Sequence, residues 1–246
     1  LSFTLSSALA RTFTSTTNGN WTAAATWVAS GTGTGSTPPI PLPASDTVII
    51  NHQVLYNVNS DLTNSGTIVI QTISPAPALP ARLTIPSGRT IFNSGTINVT
   101  NGQVFQCRFT SCTDSNTGIG SGNFVNQSTG TVRLIDSYLE FAQDWANQGG
   151  TRIIRRSCTK VGQGFSLSSS TGSDDIEDSS ISVGWQASGN IQHSDGTLRA
   201  VRVQYQLAGS SGNFELNSGR VTGDIDLITF RNHFTNTTGS GSISAS

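Results

Sequence analysis

Asp174, Asp175 and Asp178 have the clearest chemical potential in the chain. They lie in the stretch Gly172-Ser173-Asp174-Asp175-Ile176-Glu177-Asp178. Carboxylates held on either side of a glycosidic bond can serve as general acid and base on it. The same cluster, with Glu177, offers the hard oxygen ligands that calcium takes. It lacks the glycine and the repeated Asp-x-Asp spacing of a calcium loop. The surroundings are rich in Ser and Gly, where Asp commonly closes turns, and the local sequence favours a solvated turn. His52, His193 and His233 are far apart, and no nucleophile elbow accompanies them. Cys107 and Cys112 are spaced to close a small loop as a candidate disulfide in an oxidising compartment. They read nearly as well as small core residues, and Cys158 leaves the count odd. No His stands at ligand spacing from a Cys. The Gly runs have Ser and Thr neighbours and no following Lys, unlike a phosphate-binding loop. Calcium is thus the one cofactor these residues raise; otherwise none is expected.

Composition narrows the partners. Charged residues are 11% of the 246, against about 25% in ordinary soluble proteins. Hydroxyls and amides must therefore supply most of the solubility. The net charge is −1, and Lys160 is the single lysine. Such a chain has no basic field for nucleic acid, and no apolar run approaches a membrane span.

The elements that must position these residues recur as one phrase: Gly, a polar residue, then alternating apolar and polar residues. Copies are Gly66-Thr67-Ile68-Val69-Ile70, Gly95-Thr96-Ile97-Asn98-Val99 and Gly130-Thr131-Val132-Arg133-Leu134. Gly196-Thr197-Leu198 and Gly212-Asn213-Phe214 begin two more. Period-two alternation predicts short strands. The glycines fall 29, 35, 23 and 22 residues apart at Gly66, Gly95, Gly130 and then Gly196, Gly219, Gly241. Variable periods of this size predict stacked coils with insertions rather than a sandwich. Gly66, Gly95, Gly130 and Gly219 are expected at corners, at positive φ where a Cβ would clash. Asn64, Asn93 and Asn217, two residues before a Gly, are expected to stack as an amide ladder. Ser74-Pro75-Ala76-Pro77-Ala78-Leu79-Pro80 reads as a loop protruding from one coil. Alternation places Leu139 and Phe141 inward and Tyr138 outward, where it could meet a glycan or a partner. The second outward slot after each Gly holds Val69, Asn98, Arg133, Arg199 and Glu215, too mixed for an ice-binding face.

The amino-terminal part differs in kind. Asn18-Gly19-Asn20-Trp21 is followed by Thr26-Trp27, a Pro-containing loop and Asp46-Thr47-Val48-Ile49-Ile50. This order resembles the start of bacterial secreted and cell-surface, adhesin-like parallel β-helix proteins. The resemblance covers about the first seventy residues and implies that Trp21, Trp27 and Asp46 form a cap over the first coil. Independently, a stack of coils exposes unpaired backbone at its ends and needs covering. The Asp-Asp pair looks like that of polygalacturonase-type β-helix glycosidases. The Gly-His-Gly turn and Arg-x-Lys segment of that family are missing here.

The sequence therefore predicts an all-β, single-domain, right-handed parallel β-helix. Residues 1–17 form an amino-terminal arm or strand, 18–51 the cap and first coil, 52–238 the coils with inserted loops, and 239–246 a carboxy-terminal strand or tail. Ser7-Ala8-Leu9-Ala10 also has the form of a signal-peptidase site, which makes residues 1–10 either a leader remnant or part of the arm. The expected role is structural and non-enzymatic: a secreted, extracellular or cell-surface protein. It would adhere to a surface glycan or protein, or assemble with itself head to tail into filaments. The rival expectation is a β-helix that binds or degrades polysaccharide.

Overall fold

A computed structural model describes residues 10–33, 35–73, 79–106, 122–183, 190–207, 213–216, 220–222, 227–229, 233–236 and 242–244. The chain is all-β, with one 3-10 turn at Ala24–Thr26 and no α-helix among the described residues. The strands join one large mixed sheet built from three parallel ladders. In the first ladder Thr47–Ile50, Thr67–Gln71, Thr96–Thr100, Thr131–Ile135 and Thr151–Arg155 lie side by side. The ladder continues through Ser173 to Glu177 and then Thr197 to Val201. The second aligns Gln53–Leu55, Arg82–Ile85, Gln103–Gln106, Tyr138–Phe141 and Cys158–Val161. The third aligns Leu62–Asn64, Ile91–Asn93, Phe124–Asn126 and Trp145–Asn147. The chain visits the three ladders in turn and returns to the first.

One circuit takes 20 residues where nothing is inserted, as from Thr47 to Thr67 and from Thr131 to Thr151. From Thr67 to Thr96 it takes 29, with the Pro-rich segment inside. From Thr96 to Thr131 it takes 35, with residues 107–121 inside. Both insertions join the second ladder at one of its ends, so the first ladder keeps its register. Later circuits settle at 22 to 24 residues, as Thr151 to Ser173 and Ser173 to Thr197 show.

Alternation sorts the side chains. Val48, Ile68, Ile97 and Val132 stack inward in one column and Ile50, Ile70, Val99 and Leu134 in the next, all buried. The third ladder contributes Leu62, Ile91, Phe124, Trp145 and Phe165. Within that column the Phe124 and Trp145 rings stack at 5.5 Å, and Phe165 meets Trp145 edge-on at the same distance. Buried apolar area of this kind, about 25 cal/mol per Å², is the main force holding circuit on circuit.

Closure at the first corner is steric. The N–H of Thr96 donates to the carbonyl of Gly66 at 2.8 Å, that of Thr131 to Gly95 and that of Thr151 to Gly130. A Cβ on Gly95 would stand 2.1 Å from the Gly66 oxygen, and one on Gly150 would stand 2.4 Å from that of Gly130. The expected positive φ is not found at Gly66, Gly95 or Gly130. These glycines are needed for close approach, not for a left-handed backbone. Among non-glycine residues, left-handed φ falls at the next corner, at Asn101, Asp136, Arg156 and Asp178, with values of 44 to 50°. Gly219 and Asn217 lie outside the described residues.

Gly95→Ala should therefore destabilise the fold by roughly 2 kcal/mol or more, because the obstacle is backbone of the adjacent circuit. Gly102→Ala should cost less, since its Cβ would meet the Ile70 Cγ2 at 3.0 Å. Urea denaturation of the two variants checks the order.

Candidate functional site

The three acids raised by the sequence do not converge. Asp174 occupies an inward slot of the first ladder, between Arg152 and Leu198 in register, and is 2% exposed. Asp175, the next residue, faces outward. Asp178 sits at the following corner with φ of 49°. Asp174 and Asp175 thus lie on opposite sides of a strand and cannot flank one bond.

Asp174 ends a chain of buried amides. The Nδ2 of Asn64 donates to the Oδ1 of Asn93 at 2.7 Å, Asn93 to Asn126 at 2.8 Å and Asn126 to Asn147 at 3.2 Å. Asn147 then donates to the Oδ1 of Asp174 at 2.9 Å. Backbone carbonyls fix the direction. Each Nδ2 also faces a carbonyl of the first ladder: Thr96, Thr131, Thr151 and Ser173 in turn. A carbonyl cannot accept from Oδ1, so every amide must point the same way. Asn126 and Asn147 were not recognised in the sequence because three and two residues, not one, separate them from the corner glycines Gly130 and Gly150.

Arg152, fully buried, neutralises Asp174. Its Nε donates to Oδ1 at 2.7 Å and its Nη2 to Oδ2. Nη1 donates to the Trp145 carbonyl at 3.0 Å and Nη2 also to the Ser166 carbonyl at 2.8 Å. The guanidinium lies 3.9 Å from the Phe165 ring centre and 5.0 Å from that of Trp145. The arginine is the carboxylate's counter-ion within the core.

On the outer face Asp175 takes Arg155 at 2.5 Å and Arg199 at 2.7 Å, and both arginines also approach Glu177. Burial alone would raise the Asp175 pKa, but the hydrogen bonds from Arg155 and Arg199 outweigh it and hold the carboxyl low. The oxygens considered for calcium are thus engaged by arginines or separated by the strand. Among the described residues no group of three or more His, Cys, Asp or Glu could hold a metal ion.

The amino-terminal end holds the residues expected in a cap. Trp21 is fully buried and meets Trp27 and Tyr56 edge-on at 5.6 and 5.5 Å. The indole N–H of Trp27 donates to the Trp21 carbonyl at 2.9 Å, and that of Trp21 to Pro38 at 3.2 Å. Asp46, 1% exposed, receives the Arg11 side chain at 2.6 and 3.0 Å and its backbone N–H at 3.2 Å. Arg11–Ser15 pairs parallel with Thr47–Ile50 and antiparallel with Trp27–Gly31. His52 is tethered to the carbonyl of Ser15 at 3.0 Å. Residues 1–9, Cys107, Cys112 and the side chains of His193 and His233 lie outside the described set.

The corner between the first and second ladders carries features that sequence reading missed. Ser137, Ser157 and Ser179 stack there, buried. Each hydroxyl donates to the carbonyl two residues earlier, at 2.6 to 2.7 Å. The hydroxyls of Ser157 and Ser179 also accept the N–H of Ser137 and Ser157. Outside this serine column, Asp136, Arg156 and Asp178 form a charged one. Arg156 binds both oxygens of Asp136, at 2.7 and 2.8 Å, which lowers the Asp136 pKa. Together they line a shallow open groove with Cys158 and Ser180. Cys158 has a free thiol whose pKa is raised by burial. Beside it in register, Tyr138 bonds to Glu140. A repeated dipeptide, Asp-Ser, Arg-Ser, Asp-Ser, was the available signal.

Comparison of the chain with protein-family models, curated proteins and solved structures gives no match.

Two outcomes are expected. Asp174→Asn should cost about 3–5 kcal/mol, because it strands the buried Arg152 charge. Arg152→Ile combined with Asp174→Leu should cost less than that single change, since Val132 and Leu198 already occupy the neighbouring slots. Thermal or urea unfolding distinguishes the two. Asp144 differs in sign: burial raises its pKa, opposed by a backbone hydrogen bond from Gly164. A raised carboxyl favours the fold below its unfolded pKa, and that contribution is lost as pH rises through the folded value. Asp144→Asn should accordingly gain stability over the parent at pH 7, and the gain should vanish near pH 3. Melting temperatures across that range measure it.

Proposed function

We propose that the chain is a right-handed parallel β-helix with an amino-terminal cap, secreted or displayed at a cell surface. Its role is structural, adhesive or filament-forming rather than catalytic. The observation carrying this reading is at the two ends of the first ladder. Among the described residues, Trp27–Gly31 pairs only with Arg11–Ser15, and Ser242–Ser244 only with Arg220–Thr222. Among the described residues, each terminal strand thus has one edge with no pairing partner, the feature through which stacks join. Trp27–Gly31 is uncharged, free of Pro, and exposes Val28 at 57%. It lacks the usual protections against edge pairing.

The use of the polar groups supports the same reading. Asp174 terminates the amide chain and Asp46 anchors Arg11. Both carboxylates serve the stack. The arm of residues 1–17 and the tail of 239–246 would be further contributors to strand exchange.

Sedimentation and electron microscopy over rising concentration test the proposal. End-to-end assembly should appear, and Ala29→Lys should abolish it with no change in melting temperature. Dispersed single molecules at every concentration would count against it.

A further inference from the structure

The groove at the corner between the first and second ladders belongs neither to the core nor to the ends. Its lining comes from three successive circuits: Asp136 with Ser137, Arg156 with Ser157 and Cys158, and Asp178 with Ser179 and Ser180. The register holds these groups in line along the stack, about 4.8 Å apart from one circuit to the next. We propose that this groove binds a neutral polysaccharide strand running parallel to the stack axis.

The chemistry of the lining selects that ligand. Left-handed φ at Asp136, Arg156 and Asp178 places the three charged groups on the outside of the corner. Asp136 and Arg156 remain 40% and 57% exposed. The floor carries no charge, and the hydroxyls of Ser137, Ser157 and Ser179 are spent on the backbone. A guanidinium edge beside carboxylate oxygens offers donors and acceptors side by side, which suits the paired hydroxyls of a sugar ring.

The alternatives fit less well. The lining holds two carboxylates and one arginine, and so offers a polyanion no cluster of cations. The arginine between them also separates the acids that a divalent cation would need to share. An extended peptide would need free backbone. Here the N–H groups of Asp136 and Arg156 are already given to the carbonyls of Arg155 and Glu177. The proposal shares the scaffold with the structural reading but not its end-to-end contacts, so either can fail alone.

Affinity electrophoresis in gels containing galactomannan or mixed-linkage glucan tests it, with polygalacturonate as the anionic control. The protein should be retarded by at least one neutral polymer and not by the polyuronate. Ser180→Trp, which fills the groove, and Arg156→Ala should each weaken retardation by about tenfold or more. Circular dichroism should show both variants folded. Should either unfold, Asp136→Asn, which keeps the side chain's shape but weakens the paired donors and acceptors at the groove's edge and should bind less, carries the comparison. No retardation by either neutral polymer, retardation that every groove variant retains, or retardation by polygalacturonate alone would overturn the proposal.

Discussion

From Gly66 to Gly150, each circuit of this chain lays its Gly-Thr corner directly on a carbonyl of the circuit before it. That contact leaves no room for a side chain: a Cβ on Gly95 would lie 2.1 Å from the Gly66 oxygen. Once the corner is closed, the threonine N–H reaches that oxygen and the register of the first ladder is fixed. Everything inward follows from this register. Ile68 falls on Ile97 and Ile97 on Val132, and like side chains pack in columns. The same register brings Asn64, Asn93, Asn126 and Asn147 within hydrogen-bond distance, despite the different loop lengths between them.

An amide ladder of one polarity needs an acceptor at its donor end. In the third ladder Asn147 is followed by Leu167, which can accept nothing. Asp174 fills the gap from the neighbouring ladder. A carboxylate is the stronger acceptor, but it brings charge into the core, and such a charge is tolerated only with a counter-ion and full hydrogen bonding. Arg152 meets both demands from the adjoining slot and shields its flat faces with Phe165 and Trp145. The aromatic column and the ion pair are therefore one arrangement. Trp145 and Phe165 stand where apolar columns and neutral amides give way to a buried ion pair.

The sequence made much of this legible and hid the rest for physical reasons. The Gly phrase revealed the corner, because a steric demand repeated at Gly66, Gly95, Gly130 and Gly150 selects one residue type. Its cause was misread, since sequence does not distinguish a glycine chosen for φ from one chosen for close approach. The left-handed positions went to Asn101, Asp136, Arg156 and Asp178, residues with no shared chemistry that reveals a common backbone shape. Trp21, Trp27 and Asp46 stood out through their rarity and order. Asn126 and Asn147 were obscured because their distance from the glycine varies while their spatial position does not. A further regularity was overlooked at the first outward slot. Thr47, Thr67, Thr96, Thr131, Thr151, Ser173 and Thr197 align there, beside the mixed second slot.

The Asp174-Asp175 pair shows why adjacency misleads in such a structure. Along a strand, neighbouring side chains point to opposite faces, so two acids next to each other in sequence are divided by the sheet. Groups that act together come instead from the same register of successive circuits, some 20 to 35 residues apart in the chain. Asp136, Arg156 and Asp178 satisfy that condition, and so do Tyr138 with Cys158 and Glu140 with Lys160. Cooperation on this scaffold is written down the columns. The interior columns are committed to stacking, which leaves the corners and outer faces as the surfaces where a ligand can meet several circuits at once.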